Sequence, residues 1–201
     1  WSDKWPSVRR DLYFLLDDGW DVPYNVHPDK QLHRFGSVEL SEERFPSCKG
    51  SPVERLKKLN AKLKAEGWRG LGLWIASHAA GDGLDGKMLD DATLERYWRE
   101  RLSWSHEAGV EYWKVDWGLR SSDIAFCKML TDLARERAPN LIVEQPAFMP
   151  PLNDIAVGND GAVSGSGRID SGEGAVVRTS KLLKFSDVIR LYDTLTPFAD
   201  V

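Results

Sequence analysis

The chain has 201 residues, with 27 basic side chains against 31 acidic ones, interspersed, and a formal charge of -4. That balance argues against a polyanion-binding surface and leaves ample chain for a globular core. No apolar run approaches the roughly 20 residues that span a bilayer, Trp1-Ser2-Asp3-Lys4-Trp5 is not a signal peptide, and Cys48 and Cys127 have neither metal-ligand nor disulfide-framework spacing.

The first element is the apolar run Leu12-Tyr13-Phe14-Leu15-Leu16, which ends abruptly in Asp17-Asp18-Gly19-Trp20. A continuous apolar run suits a parallel strand covered on both faces, and carboxylates at its C-terminal end stand where α/β sheets and barrels place their chemistry. A polar, irregular segment follows over 23–50, with Phe45-Pro46-Ser47 leading the chain back toward the sheet. Ser51-Pro52-Val53-Glu54 then starts a helix: serine caps, proline fills the first turn and glutamate completes a capping box. Val53, Leu56, Leu59 and Leu63 form its buried stripe, and Gly67 ends it.

The second strand covers 70–76 and finishes at Ser77-His78, before a glycine-rich loop through Gly86. A helix over about 91–106 turns Leu94, Trp98 and Leu102 inward, with Gly109 just past its end. Glu111-Tyr112-Trp113-Lys114-Val115-Asp116-Trp117-Gly118 reads as an aromatic-rich strand, in which residues i and i+2 share a face. Lys114 and Asp116 therefore project together, while Trp113, Val115 and Trp117 take the other side. A carboxylate buried there without a partner would cost several kcal/mol, and Lys114 supplies the partner. A purely structural Lys–Asp pair at a strand end fits the same spacing.

A third helix over about 122–137, with Ile124, Cys127 and Leu130 inward, stops before Pro139. Leu141-Ile142-Val143-Glu144 is the next strand, again ending in an acid. Residues 149–170 are rich in Pro, Gly, Asn and Ser and read as a long loop over one face. Helical pattern resumes over 176–184, and 187–193 forms a last strand. Of nine tryptophans, Trp98 and Trp104 fall on a helix and belong to packing. Trp20, Trp74 and Trp117, at strand ends, are candidates for a pocket, since aromatic rings stack on the apolar faces of sugars. His27, His33 and His106 read as surface residues and His78 as a pocket or loop residue.

Alternating strands and helices, with strand ends at Asp18, Ser77, Asp116, Glu144 and Asp193, argue for a (β/α) barrel or a doubly wound sheet. A complete eight-unit barrel takes around 250 residues. Five units in 201 residues with long loops therefore predict an incomplete (β/α)8 TIM barrel. On this reading 1–201 is part of one catalytic domain, with flanking barrel segments and any β-sandwich domain elsewhere in the parent chain. Such a piece exposes strand edges and apolar helix faces, and is expected to be poorly soluble and inactive alone.

The ordered motifs resemble the clan of melibiase-type retaining α-galactosidases, together with the α-N-acetylgalactosaminidases and raffinose-synthase-like relatives. The likeness runs over nearly the whole chain, from the second to the sixth strand of that family's barrel. Asp17-Asp18-Gly19-Trp20 is similar to the family's Asp-Asp-(Gly/Cys)-Trp, whose acids hold the sugar's O4 and O6. Lys114-Val115-Asp116 resembles its Lys-x-Asp, which implies a hydroxyl-binding Lys114 and a nucleophilic Asp116. Glu144-Gln145-Pro146 resembles a Glu-x-Pro that contacts the substituent at C2. Arg190 and Asp193 fall where the family carries an arginine followed by the acid/base aspartate.

The family spaces that last pair as Arg-x-x-x-Asp, whereas Arg190 and Asp193 are three apart and would face opposite ways in a regular strand. A bulge would restore convergence; otherwise Asp187 or Asp170 takes the role, or the role is lost. Gly19 and Trp117 stand where members often carry Cys or Asn, so the sugar preference stays open. The resemblance implies double displacement on an oligosaccharide or glycoside: Asp116 attacks the anomeric carbon while a second carboxylic acid protonates the leaving oxygen, then activates water. Hydrolysis by two carboxylates needs no cofactor or metal, and the charge pattern and the lack of a long apolar run predict no nucleic-acid or membrane partner. Two other readings fit the residues. One is a non-catalytic carbohydrate-binding barrel, prompted by the Arg190/Asp193 spacing. The other is a metal-dependent hydrolase using Asp17 or Asp18, His78, Asp116 and Glu144, against which stand Lys114 beside the cation and the lack of a His-x-His pair.

Overall fold

The computed structural model describes residues 7–23, 26, 37–77, 89–116, 120, 123–146, 156–157, 163–164 and 173–190. After a short 3-10 turn at Arg9–Asp11, the described elements run β1 (Tyr13–Leu16), α1 (Pro52–Ala65), β2 (Gly70–Ala76), α2 (Asp91–Ala108), β3 (Tyr112–Asp116) and α3 (Ile124–Arg137). They continue with β4 (Ile142–Pro146), β5 (Ala156–Val157), β6 (Val163–Ser164), α4 (Glu173–Leu182) and β7 (Val188–Arg190).

The first three α-helices begin where their local chemistry dictates. Ser51 accepts from Glu54 N at 3.3 Å and Glu54 Oε2 accepts from Ser51 N at 2.8 Å, so the capping box forms as read. Asp90 caps α2 through Thr93 N at 2.9 Å, and Gly109, at φ +67°, closes it in the left-handed conformation. Asp123 caps α3, accepting from Ala125 N at 2.8 Å and Phe126 N at 3.3 Å.

Five strands form one parallel sheet in the order β1-β2-β3-β4-β7. Helix packs on helix in the same order, α1 on α2, α2 on α3 and α3 on α4. A doubly wound sheet reverses its strand order at a switch point and covers both faces. Here the order runs in one direction. The result is a mixed α/β fold with a parallel sheet alternating with helices, compatible with a partial α/β barrel.

The two faces of the sheet differ in chemistry. Leu71, Leu73, Ile75, Trp113, Val115, Val143 and Gln145 are buried, and contacts from this side reach the helices. Trp113 Nε1 donates to Ser105 Oγ of α2 at 3.0 Å, and Gln145 Nε2 donates to Cys127 O and Thr131 Oγ1 of α3, both at 3.2 Å. The ring of Trp98 meets those of Trp113 and Phe126 edge-on, at 6.2 and 5.8 Å between centroids. Trp98 is fully buried, and Trp104 packs against the same core. Along β3 and β4 the alternate residues, Tyr112, Lys114, Ile142 and Glu144, are only partly buried. Polar chemistry therefore gathers on the face away from the helices.

Several sequence expectations need correction. The 23–50 segment, read as polar and irregular, also supplies core residues: Val38, Leu40 and Cys48 are buried, and Asp21 bridges to Leu40. Glu39 ties it down by facing Arg55 of α1 at 3.5 Å and Arg101 of α2 at 3.8 Å. Glu144 is not a strand end, because β4 continues through Gln145 to Pro146. The 149–170 stretch contains an antiparallel strand pair, with Ala156 opposite Ser164 and Val157 opposite Val163.

Candidate active site

The period of two along β3 puts Lys114 and Asp116 on the polar face, and parallel pairing sets Trp74 beside Lys114 and Lys114 beside Glu144. Arg190 aligns with Pro146 on the next strand, β7. Asp17 follows the last residue of β1. Five neighbouring strands thus each bring a group to the same end of the sheet.

Asp116 is the centre of the arrangement. Its Oδ2 accepts from Trp74 Nε1 at 2.7 Å and lies 3.5 Å from Lys114 Nζ, and its Oδ1 accepts from Arg190 Nη2 at 3.1 Å. Charge-assisted donors of this kind are about twice as strong as neutral ones and fix the carboxylate's direction. Lys114 Nζ also reaches Asp17 Oδ2 at 3.2 Å, so one ammonium joins the ends of β1 and β3. Asp17 is 64% exposed whereas Lys114 is 16% exposed, so the pair points from a sheltered cation toward solvent. Asp18 is exposed beside it, with its N–H donating to Asp17 Oδ1 at 3.0 Å.

Arg190 binds two carboxylates at once. Its Nε donates to Glu144 Oε1 at 2.9 Å, while Nη2 serves Asp116 and also the Val115 carbonyl at 3.2 Å. The other oxygen of Glu144 accepts from the Tyr112 hydroxyl. Burial first, and the neighbouring Glu144 second, push the Tyr112 hydroxyl well above its usual range, so it acts as a donor. Tyr112 was missed in the sequence reading, although it lies two residues before Lys114 and the strand period alone places it on the same face.

The tryptophans play a different part from the one expected. Trp20 and Trp74 are 3% and 2% exposed. Trp20 Nε1 donates to the Trp74 carbonyl at 2.8 Å and Trp74 donates to Asp116. They hold atoms of the site in place and offer no open ring face for stacking. Asp187, one of the alternatives for the acid/base, is removed by geometry. It precedes β7 on the helix side of the sheet, where it faces Arg135 of α3 and accepts from Val143 N, both at 3.4 Å. Trp117, Asp193, Asp170 and His78 lie outside the described residues.

Among the described residues, no group of three or more His, Cys, Asp or Glu side chains is placed to hold a metal ion. Asp116 and Glu144 are instead bridged by a guanidinium. With Asp17, Asp18, Asp116 and Glu144 set against Lys114 and Arg190, the cluster is rich in acceptors. An excess of carboxylates of this kind disfavours anionic ligands. Comparison with protein-family models, curated proteins and solved structures gives no match.

Proposed function

We propose that the chain belongs to a (β/α)8 barrel of a retaining glycoside hydrolase acting on α-linked galactose-like sugars. The observation that carries this reading is Asp116: a buried carboxylate at the C-terminal end of a parallel strand, held through both oxygens by Trp74, Lys114 and Arg190. A nucleophile for double displacement has to be aimed and shielded from bulk water, and three converging donors with burial supply those conditions. Lys114 and Asp17 extend the same network to solvent, where sugar hydroxyls can donate to Asp17 and Asp18 and accept from Lys114.

In the proposed reaction Asp116 attacks the anomeric carbon and forms a glycosyl ester. A second carboxylic acid protonates the departing oxygen, and as a carboxylate it then takes a proton from the water that releases the sugar. The family resemblance assigns that second role to Asp193. Glu144 is already held by Arg190 and Tyr112 and serves as an acceptor near Asp116. A retaining enzyme sets its two catalytic carboxyl groups roughly 5–5.5 Å apart.

The test is hydrolysis of a panel of nitrophenyl α- and β-glycosides by the full-length protein, with Asp116→Asn alongside. Release from an α-galactoside-like member, with retention of anomeric configuration and loss in the variant, is the expected result. No release by a folded wild-type protein overturns the hydrolase reading and favours a carbohydrate-binding one.

A further inference from the structure

We infer that Tyr112 is a positioning residue of this site: acting through Glu144 and Arg190, it sets the direction in which Asp116 presents its carboxylate. The inference rests on the glycosidase reading above and concerns a residue to which that reading gives no part in the reaction.

The argument follows one chain of contacts. Asp116 Oδ1 takes its donor from Arg190 Nη2. Nη2 also donates to the Val115 carbonyl at 3.2 Å, and a bond at a second nitrogen restrains the planar guanidinium further. Glu144 supplies that bond through Oε1 on Arg190 Nε at 2.9 Å. Glutamate is itself a flexible side chain and needs an anchor. Its other oxygen takes that anchor from the Tyr112 hydroxyl.

The tyrosine ring is in turn rigidly seated. It stacks on Tyr13 with centroids 5.4 Å apart and planes at 29°. Tyr13 is on β1 and Tyr112 on β3, so the rings meet across β2, where register places Gly72 between Leu15 and Tyr112. A Cβ at Gly72 would sit 3.3 Å from Leu15 Cδ1 and 3.5 Å from Tyr112 Cβ. The Tyr13 hydroxyl donates to Glu111 Oε2 at 3.2 Å, and the Arg69 guanidinium lies 4.8 Å from the centroid of its ring. A fixed aromatic pair thus stands at one end of the chain of contacts and the nucleophile at the other. Tyr112 lies two residues below Lys114 on the strand, roughly 6–7 Å from the sugar-facing end, and it acts without touching substrate.

The experiment is Tyr112→Phe in the full-length protein, which keeps the ring and removes only the hydroxyl. The expected result is a fall in kcat of roughly 5- to 20-fold on the best nitrophenyl glycoside, with KM within about twofold and the melting temperature unchanged. Crystal structures of the wild type and the variant should show Arg190 turned away from Glu144 only in the variant. Unchanged kcat, or a lower melting temperature with kcat intact, overturns the inference and makes Tyr112 a packing residue. If the wild type cleaves no glycoside, the hydrolase reading fails separately, and the crystal structures decide: Arg190 in an unchanged position overturns the inference, and a displaced Arg190 sustains it. Should the phenylalanine variant not fold, Glu144→Gln weakens the same link from the other side and is judged by the same readouts.

Discussion

Trp74 and Asp116 stand on adjacent strands, and the indole N–H of one meets a carboxylate oxygen of the other at 2.7 Å with both side chains buried. A neutral donor to a buried charge is worth more than one in water, because little else can replace it. Trp74→Phe keeps most of the ring volume and removes the donor. The expected result is a fall in kcat of roughly 10- to 100-fold on a cleaved glycoside, with a stability loss of about 1–3 kcal/mol in urea denaturation. An unaltered kcat would show that Lys114 and Arg190 suffice to aim Asp116.

Lys114 should separate activity from stability. Its contact with Asp17 faces solvent, and such pairs contribute about 0–1 kcal/mol. Asp116 keeps Arg190 and Trp74 when the ammonium is removed. Lys114→Met is therefore expected to shift the unfolding midpoint little while lowering kcat/KM roughly 100-fold. A large loss of stability with activity retained would mark the Lys–Asp pair as structural.

Asp21 gives the fold a pH dependence. Its Oδ2 accepts from Ser37 N at 2.7 Å and Val38 N at 2.9 Å, holding a turn in which Val38 has φ +56°. Burial pushes its carboxyl up from 3.8 to about 6, and the charge of Asp18 adds in the same direction. The protonated form is thus favoured in the fold. The stability it contributes is fully present below about 4 and is lost as pH rises through about 6. A rise of that size corresponds to roughly 3 kcal/mol. Asp21→Asn retains an acceptor oxygen without the charge, so urea denaturation from pH 4 to pH 7 should show a flatter profile and a more stable variant near pH 7. An unchanged profile would locate the titration elsewhere.

Asn60 is a buried polar side chain that links three elements. It donates to Ala108 O at 2.9 Å and Gly109 O at 2.7 Å, at the end of α2, and accepts from Leu71 N of β2 at 2.9 Å. Asn60→Ala leaves these backbone groups without that partner, so a loss of about 3 kcal/mol is expected in chemical denaturation. A loss below 1 kcal/mol would mean that water replaces the amide.

What the sequence revealed and what it hid have the same physical origin. Helix starts at Ser51 and the left-handed stop at Gly109 depend on neighbours a few residues away, so they can be read locally. The shared face of Lys114 and Asp116 follows from strand periodicity and needs no partner strand. Asn60 gave no signal in the sequence, because its partners lie 48, 49 and 11 residues away. Trp74 read as a sugar platform for the same reason: its carboxylate partner is 42 residues distant, and no local pattern marks it as buried. Asp187 was an alternative to Asp193 for the acid, but only the place where β7 begins shows that it faces the helices.

The one-directional order of the strands also bears on how the protein comes into being. Lys114 meets Asp17 across 97 residues of chain, and Arg190 meets Asp116 across 74. During synthesis the aspartate after the first strand must therefore wait for its ammonium until more than half of this sequence has been made. Closing such wide loops is slow and entropically costly. No partly folded intermediate lacking β7 can orient Asp116 through Arg190. The three donors on Asp116 thus converge only once β7 has joined the sheet.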